Sequence, residues 1–73
     1  MTREKREKLY KQVAASIYLW IQKAGSFYYW EHIDYMCTDI AQTYNCPPRF
    51  VKKVFWELKK DESFKKWLSN FEF

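Results

Sequence analysis

The sequence predicts an all-α fold: a small bundle of three to four helices, forming a single domain over residues 1–73. Three observations predict it. Apolar residues recur at spacings of three and four through most of the chain, which is the helical period. The residues that stop helices (the only glycine, Gly25, then Asn45, Pro47 and Pro48) fall between the periodic segments rather than inside them. Only one stretch, residues 26–30, carries a run of strand-favouring aromatics.

The first helix is expected over residues 3–24. Leu9, Val13, Ile17, Trp20, Ile21 and Ala24 make its inner stripe, and its charged first turns, from Arg3 to Lys8, face water. Gly25 follows the last periodic residue, where a left-handed C-terminal residue belongs. Residues 26–30 read in two ways: a loop or short extended piece, or the first turn of the next helix with Ser26 as its N-cap. The second helix is expected over residues 31–44, with Ile33, Met36, Cys37, Ile40, Ala41 and Tyr44 on one face and Asn45 ending it. Cys46-Pro47-Pro48 cannot continue a helix, but proline suits the first position of a new one. That third helix, over residues 48–60, divides cleanly. Val51, Val54, Phe55 and Leu58 form an apolar stripe, and Arg49, Lys52, Lys53, Trp56 and Lys60 lie opposite. Asp61 or Ser63 caps a short last helix with Phe64, Trp67 and Leu68 inward, the alternative for residues 64–73 being a small wing. Phe71 and Phe73 are expected to fold back on the core.

A chain of 73 residues buries only about 60% of its unfolded surface, so its core must be rich. With 22% aromatic residues it can be, without a disulfide or a metal. Two cysteines, Cys37 and Cys46, are too few for the framework of a secreted mini-protein. No signal-like apolar stretch follows the basic N-terminus, and no run approaches the roughly 20 apolar residues that span a bilayer. The expectation is an intracellular chain, in cytoplasm or nucleoid, with reduced thiols and no membrane partner.

Charge is segregated. Residues 1–25 hold six Lys/Arg against two Glu, residues 26–45 hold three acids and no Lys/Arg, and residues 46–66 hold seven Lys/Arg against three acids. Within a net charge of +4 this basic–acidic–basic order concentrates positive potential on local surfaces, which attract polyanions.

Residues 37–56, from Cys37 to Trp56, resemble the helix-turn-helix motif of DNA-binding domains. Ala41 stands where two helices approach closely, with apolar Ile40 before it and Tyr44 continuing the inner face. Asn45 takes the turn position where the family usually has glycine, Cys46 is the small apolar residue after the turn, and Val51 and Val54 are the buried positions of the second helix. Where many members carry Ser-Pro-Arg, this chain has Pro47-Pro48-Arg49 and so lacks the serine hydroxyl. The resemblance implies a recognition helix in the major groove of double-stranded DNA. Arg49 would then read guanine O6 and N7, and Lys52 and Lys53 would reach bases or phosphates. Trp56, Lys59 and Lys60 would meet the sugar–phosphate backbone, as would Thr38, at the start of the first motif helix. For Trp56, burial against Trp67 or Phe64 beneath the last helix is favoured over stacking or intercalating at DNA. A transcriptional regulator or a replication or recombination accessory protein, of viral or plasmid type, fits this reading.

Enzyme chemistry is not expected. His32 is the only histidine, one glycine cannot build a phosphate loop, the cysteines lack paired metal or redox spacing, and the acids Glu31, Asp34 and Asp39 have no acid–base partners. No cofactor is called for. Two other classes compete. A protein-interaction module, such as an inhibitor or adaptor, or a homodimer on a palindromic site, would use the surplus aromatics Tyr10, Tyr18, Tyr28, Tyr29, Phe71 and Phe73. Single-strand binding would use the run Tyr28-Tyr29-Trp30, but ranks lower because no Lys or Arg lies in residues 26–45.

Overall fold

The computed structural model describes residues 2–71, and all regular structure among them is helical. The order is α1 (Arg3–Ala24), α2 (Tyr29–Tyr44), α3 (Pro48–Leu58) and α4 (Glu62–Ser69). The wing alternative is thereby removed, since residues 62–69 form a helix; Phe73 lies outside the described residues.

Each helix end has a local cause. The Thr2 hydroxyl accepts from the Lys5 N–H at 3.3 Å and opens α1. Gly25, at φ 78°, closes it by donating its N–H to the Ile21 carbonyl. Val13, Ile17 and Ile21 are fully buried, whereas Ala24 is exposed, so the inner stripe ends one turn earlier than its spacing suggests.

The second helix begins at Tyr29 rather than at Glu31, and Ser26 does not cap it. Residues 26–28 form the short extended link. Within it Phe27 is fully buried and donates its N–H to the Phe71 carbonyl at 2.9 Å, while Tyr28 occupies the N-cap position without a side-chain cap. His32 compensates from inside the helix: its Nδ1 accepts the Tyr28 N–H at 2.8 Å. The half-buried His32 ring also lies against Phe27 and Trp20, so this histidine fastens the start of α2.

At the other end of α2, Asn45 adopts φ 54° and ψ 49°. The Cys46 N–H reaches the Ala41 carbonyl at 3.0 Å and the Asn45 N–H reaches Gln42, the paired bonds of a Schellman ending. Three residues, Asn45, Cys46 and Pro47, thus turn the chain into α3, whose first residue is Pro48. This turn carries no N-terminal side-chain cap, in keeping with the missing serine. The α3 helix ends at Leu58, two residues before Lys60, because Lys60 and Asp61 turn back onto the Glu57 and Leu58 carbonyls. The Asp61 carboxylate then caps α4 by accepting from the Ser63 N–H at 2.8 Å.

The core closes around Phe55, whose ring lies 5.5 Å from Phe27 and 6.0 Å from Phe64. Val51 and Val54 seat α3 beside it, and α2 makes the most extensive packing with α3. The last helix docks on α1: Tyr18 meets Phe64 edge to face at 5.2 Å and Trp67 at 4.6 Å. Phe71 folds back onto Trp67 at 4.8 Å. Cys37 is buried and Cys46 half-buried, both as free thiols, and burial pushes the Cys37 thiol up to about 11.

The two left-handed positions give a stability test. Gly25→Ala and Asn45→Ala each force an alanine Cβ into positive φ and are expected to cost about 1 kcal/mol. The melting temperature of each should fall by roughly 4–8 °C, and Asn45→Gly should match or exceed the parent, as read by thermal melts in circular dichroism.

Candidate nucleic-acid interface

Burying Val51, Val54 and Phe55 turns the opposite side of α3 to water. Arg49, Lys52, Lys53, Trp56 and Lys60 are all exposed, as their spacing requires. Their surroundings divide them into three groups.

Arg49, Lys53 and Lys60 form no ion pair with any described residue. Arg49 projects from the first turn of α3, and Lys53 follows it one turn on, where α3 faces α1. Between these helices runs a groove of about 430 Å³. Tyr10, Phe50 and Val54 contribute its less polar wall, and Arg3, Arg6, Lys11 and Lys53 bring four cations against the carboxylates of Glu7 and Glu57. The basic block of the N-terminus and that of α3 are therefore neighbours in space. Glu7 is partly spent on Arg3, at 3.5 Å. Glu57 faces Tyr10: burial, and after it this carboxylate, push the Tyr10 hydroxyl up to about 12.

Lys52 is tied to the second helix. Its Nζ lies 3.2 Å from Asp34 Oδ1, and this hydrogen-bonded carboxylate pushes the ammonium above its ordinary range. The pair is exposed on both sides.

Trp56 and Lys59 belong to an aromatic end of the same face. Trp56 does not pack against Phe64 or Trp67. Its ring meets Tyr29, the first residue of α2, edge to face at 5.2 Å, and Phe55 at 5.5 Å. The reason is topological: α4 has docked on Tyr18 of α1, which takes Phe64 and Trp67 elsewhere. Lys59 is half-buried over these rings, its Nζ 5.6 Å from Trp56, 5.9 Å from Phe55 and 6.0 Å from Tyr29.

Thr38 does not stand at a helix start. It is exposed in the middle of α2 and lines a shallow depression with Trp20, Tyr35, Asp39 and Gln42. The Trp20 indole donates to Asp39 Oδ2 at 3.1 Å in this region, and Asp39 is the one charged residue lining the depression, which none of the cations of α3 lines.

Among the residues that the resemblance made structural, Ile40, Ala41, Val51 and Val54 are buried. Tyr44 and Cys46 are half-buried, and the Tyr44 hydroxyl bonds Ser16 Oγ at 2.7 Å. Arg3, Arg6 and Lys11 line the groove between α1 and α3 although the sequence singles out none of them as site residues, and Tyr29, read there as part of an aromatic surface, meets Trp56. The charge block of residues 1–25 was a signal for the first three, but only the register of α1 on α3 brings them to Lys53.

Among the described residues no group of three or more His, Cys, Asp or Glu could hold a metal ion, and no helix is long and apolar enough to cross a membrane. No protein-family model, curated protein or solved structure matches the chain.

The Tyr10 environment predicts a titration. Its phenol pKa is raised in the fold, so the stability it contributes is full below the unfolded value near 10 and is lost as pH rises through about 12. Ring resonances followed by NMR should show Tyr10 ionising near pH 12, with Glu57→Gln lowering that value only in part, because burial remains. Titration of Tyr10 near 10 in the parent would show that neither burial nor Glu57 perturbs it.

Proposed function

We propose that the chain is a helix-turn-helix protein that binds double-stranded DNA through the outward side of α3, flanked by the N-terminal half of α1. Its main support is the convergence of two basic segments, distant in sequence, on one groove and one helix face: Arg3, Arg6 and Lys11 beside Lys53, with Arg49 and Lys60 unpaired among the described residues.

An α3 of 11 residues is about 16 Å long. It fits a major groove about 12 Å wide with its first turn towards the base edges. Arg49, on that turn, is the residue for bidentate readout of guanine. Proline at both positions 47 and 48 removes two backbone donors from the helix start, so phosphate contacts fall to side chains. Lys53 and Lys60 serve the backbone on the α3 side, and Arg6 and Lys11 serve it across the groove. The Asp34 carboxylate competes with phosphate for Lys52. A regulator of transcription, or an accessory to replication or recombination, needs no more than such a module.

A second reading, a module for binding another protein, is favoured by the apolar side chains left in water on α1 and α2. Leu19 is 62% and Tyr35 76% exposed.

Titration of a fluorescent duplex against salt tests the DNA reading. Neutralising about four phosphates predicts log K falling with log salt at a slope near −4. Arg49→Ala/Lys53→Ala/Lys60→Ala should abolish binding while circular dichroism stays unchanged. Arg6→Ala/Lys11→Ala should flatten the slope by about 2 and leave sequence preference intact. Asp34→Asn should tighten binding, by freeing Lys52. Absence of binding at low salt, or binding indifferent to the triple substitution, would sink the DNA reading in favour of the protein-binding one.

A further inference from the structure

We propose that Tyr29 and Trp56, with Lys59, form a stacking site for an unpaired base, so that the favoured ligand is a DNA duplex continuing into a single strand. This rests on the DNA-binding reading of α3 and names the form of DNA that the α3 face selects.

The two rings lie outside the buried core. Phe27, Phe55 and Phe64 are fully or almost fully buried, while Trp56 keeps 39% and Tyr29 41% of its surface in water. They come from different helices and hold each other edge to face at 5.2 Å and 62°, an arrangement that fixes both ring planes. The next residue, Trp30, is 75% exposed and lies 5.7 Å from Tyr28, so aromatic surface continues along the start of α2.

Cations accompany the rings. The Lys59 ammonium sits within about 6 Å of Tyr29, Phe55 and Trp56, and Lys52 lies on the α2-facing edge of the same helix. The absence of Lys and Arg from residues 26–45 therefore does not leave these aromatics without positive charge, because α3 supplies it. A base on the Trp56 ring carries its phosphodiester into reach of Lys59.

Duplex DNA does not use such a surface. A paired base presents its edges to the grooves and keeps both faces in the stack. Away from the duplex ends only an unpaired base offers a free face, and every base has one, so the site is indifferent to sequence. The arginine at the start of α3 and the aromatic pair near its end thus suit different parts of one ligand, paired and unpaired.

The experiment compares a labelled blunt duplex with the same duplex carrying a short single-stranded overhang, by anisotropy, in the full chain. The parent is expected to bind the overhang form about tenfold more tightly. Trp56→Ala and Tyr29→Ala should reduce that ratio to near one, and Trp56→Phe, which retains a ring, should preserve most of it, with folding checked by circular dichroism. Equal binding of the two DNAs by the parent would overturn the stacking site and leave the duplex reading standing. An overhang preference that survives both alanine substitutions would overturn it as well. Binding of neither DNA would remove the DNA reading itself, and the stacking site with it.

Discussion

Phe55 is fully buried with the rings of Phe27 and Phe64 on two of its sides, and those neighbours come from the α1–α2 link and from α4. One side chain of α3 therefore meets both segments that are not already packed along it by Val51 and Val54. An α-helix has a single rotational freedom about its axis, and burying residues 51, 54 and 55 together removes it. Everything on the far side of the helix, Arg49 and Lys53 included, is turned outward as a consequence. The apolar stripe and the cationic stripe are two results of one rotational choice, which is why neither can change register without the other.

This dependence explains what could be read from the residues and what could not. Backbone stops were legible because their causes are local. Gly25 and Asn45 adopt positive φ, and Pro48 opens a helix, each from the conformational preference of a single residue type. The start of α2 was not legible. Its N-cap donor is met by His32 from inside the helix, and Phe27, in a link with no regular structure, is buried by contacts with Trp20, Phe55 and His32. Nothing in the run Phe27-Tyr28-Tyr29-Trp30 says which ring goes inside, because four consecutive aromatics have no period. The partner of Trp56 was hidden for a related reason. Which helix receives α4 depends on the turn at residues 59–61, and that turn takes Phe64 and Trp67 to Tyr18 and leaves Trp56 to Tyr29.

The charge pattern illustrates the same division. That the chain is basic, acidic, then basic is plain from its order. That the two basic blocks become one surface requires α1 to cross α3 with Arg6 and Lys11 beside Lys53. Such proximity costs electrostatic free energy in the isolated fold, since like charges share a groove. Two carboxylates, Glu7 and Glu57, moderate the repulsion without cancelling it. A surface that retains uncompensated cations at a crossing point of two helices regains that cost when a polyanion occupies it.

The start of α3 sharpens the point. Most helix N-termini attract anions through free backbone N–H groups. Here prolines at positions 47 and 48 remove two of those donors, and the Phe50 N–H is turned back onto the Pro47 carbonyl at 3.0 Å. The backbone thus offers less to an anion than at an ordinary helix start, and under the proposed DNA reading recognition shifts to side chains whose reach and geometry differ. A guanidinium at Arg49 offers a planar fork that can discriminate among acceptor pairs, which a helix dipole cannot do. Lys52, by contrast, is held towards Asp34 by an exposed pair, a contact that steers the ammonium without locking it, since ion pairs in water add little to stability. The face therefore combines one rigidly based arginine, whose helix position is set by the buried Val51 and Val54, with lysines whose ammonium groups can relocate. That division suits a ligand in which one feature is to be read and the rest is only to be held.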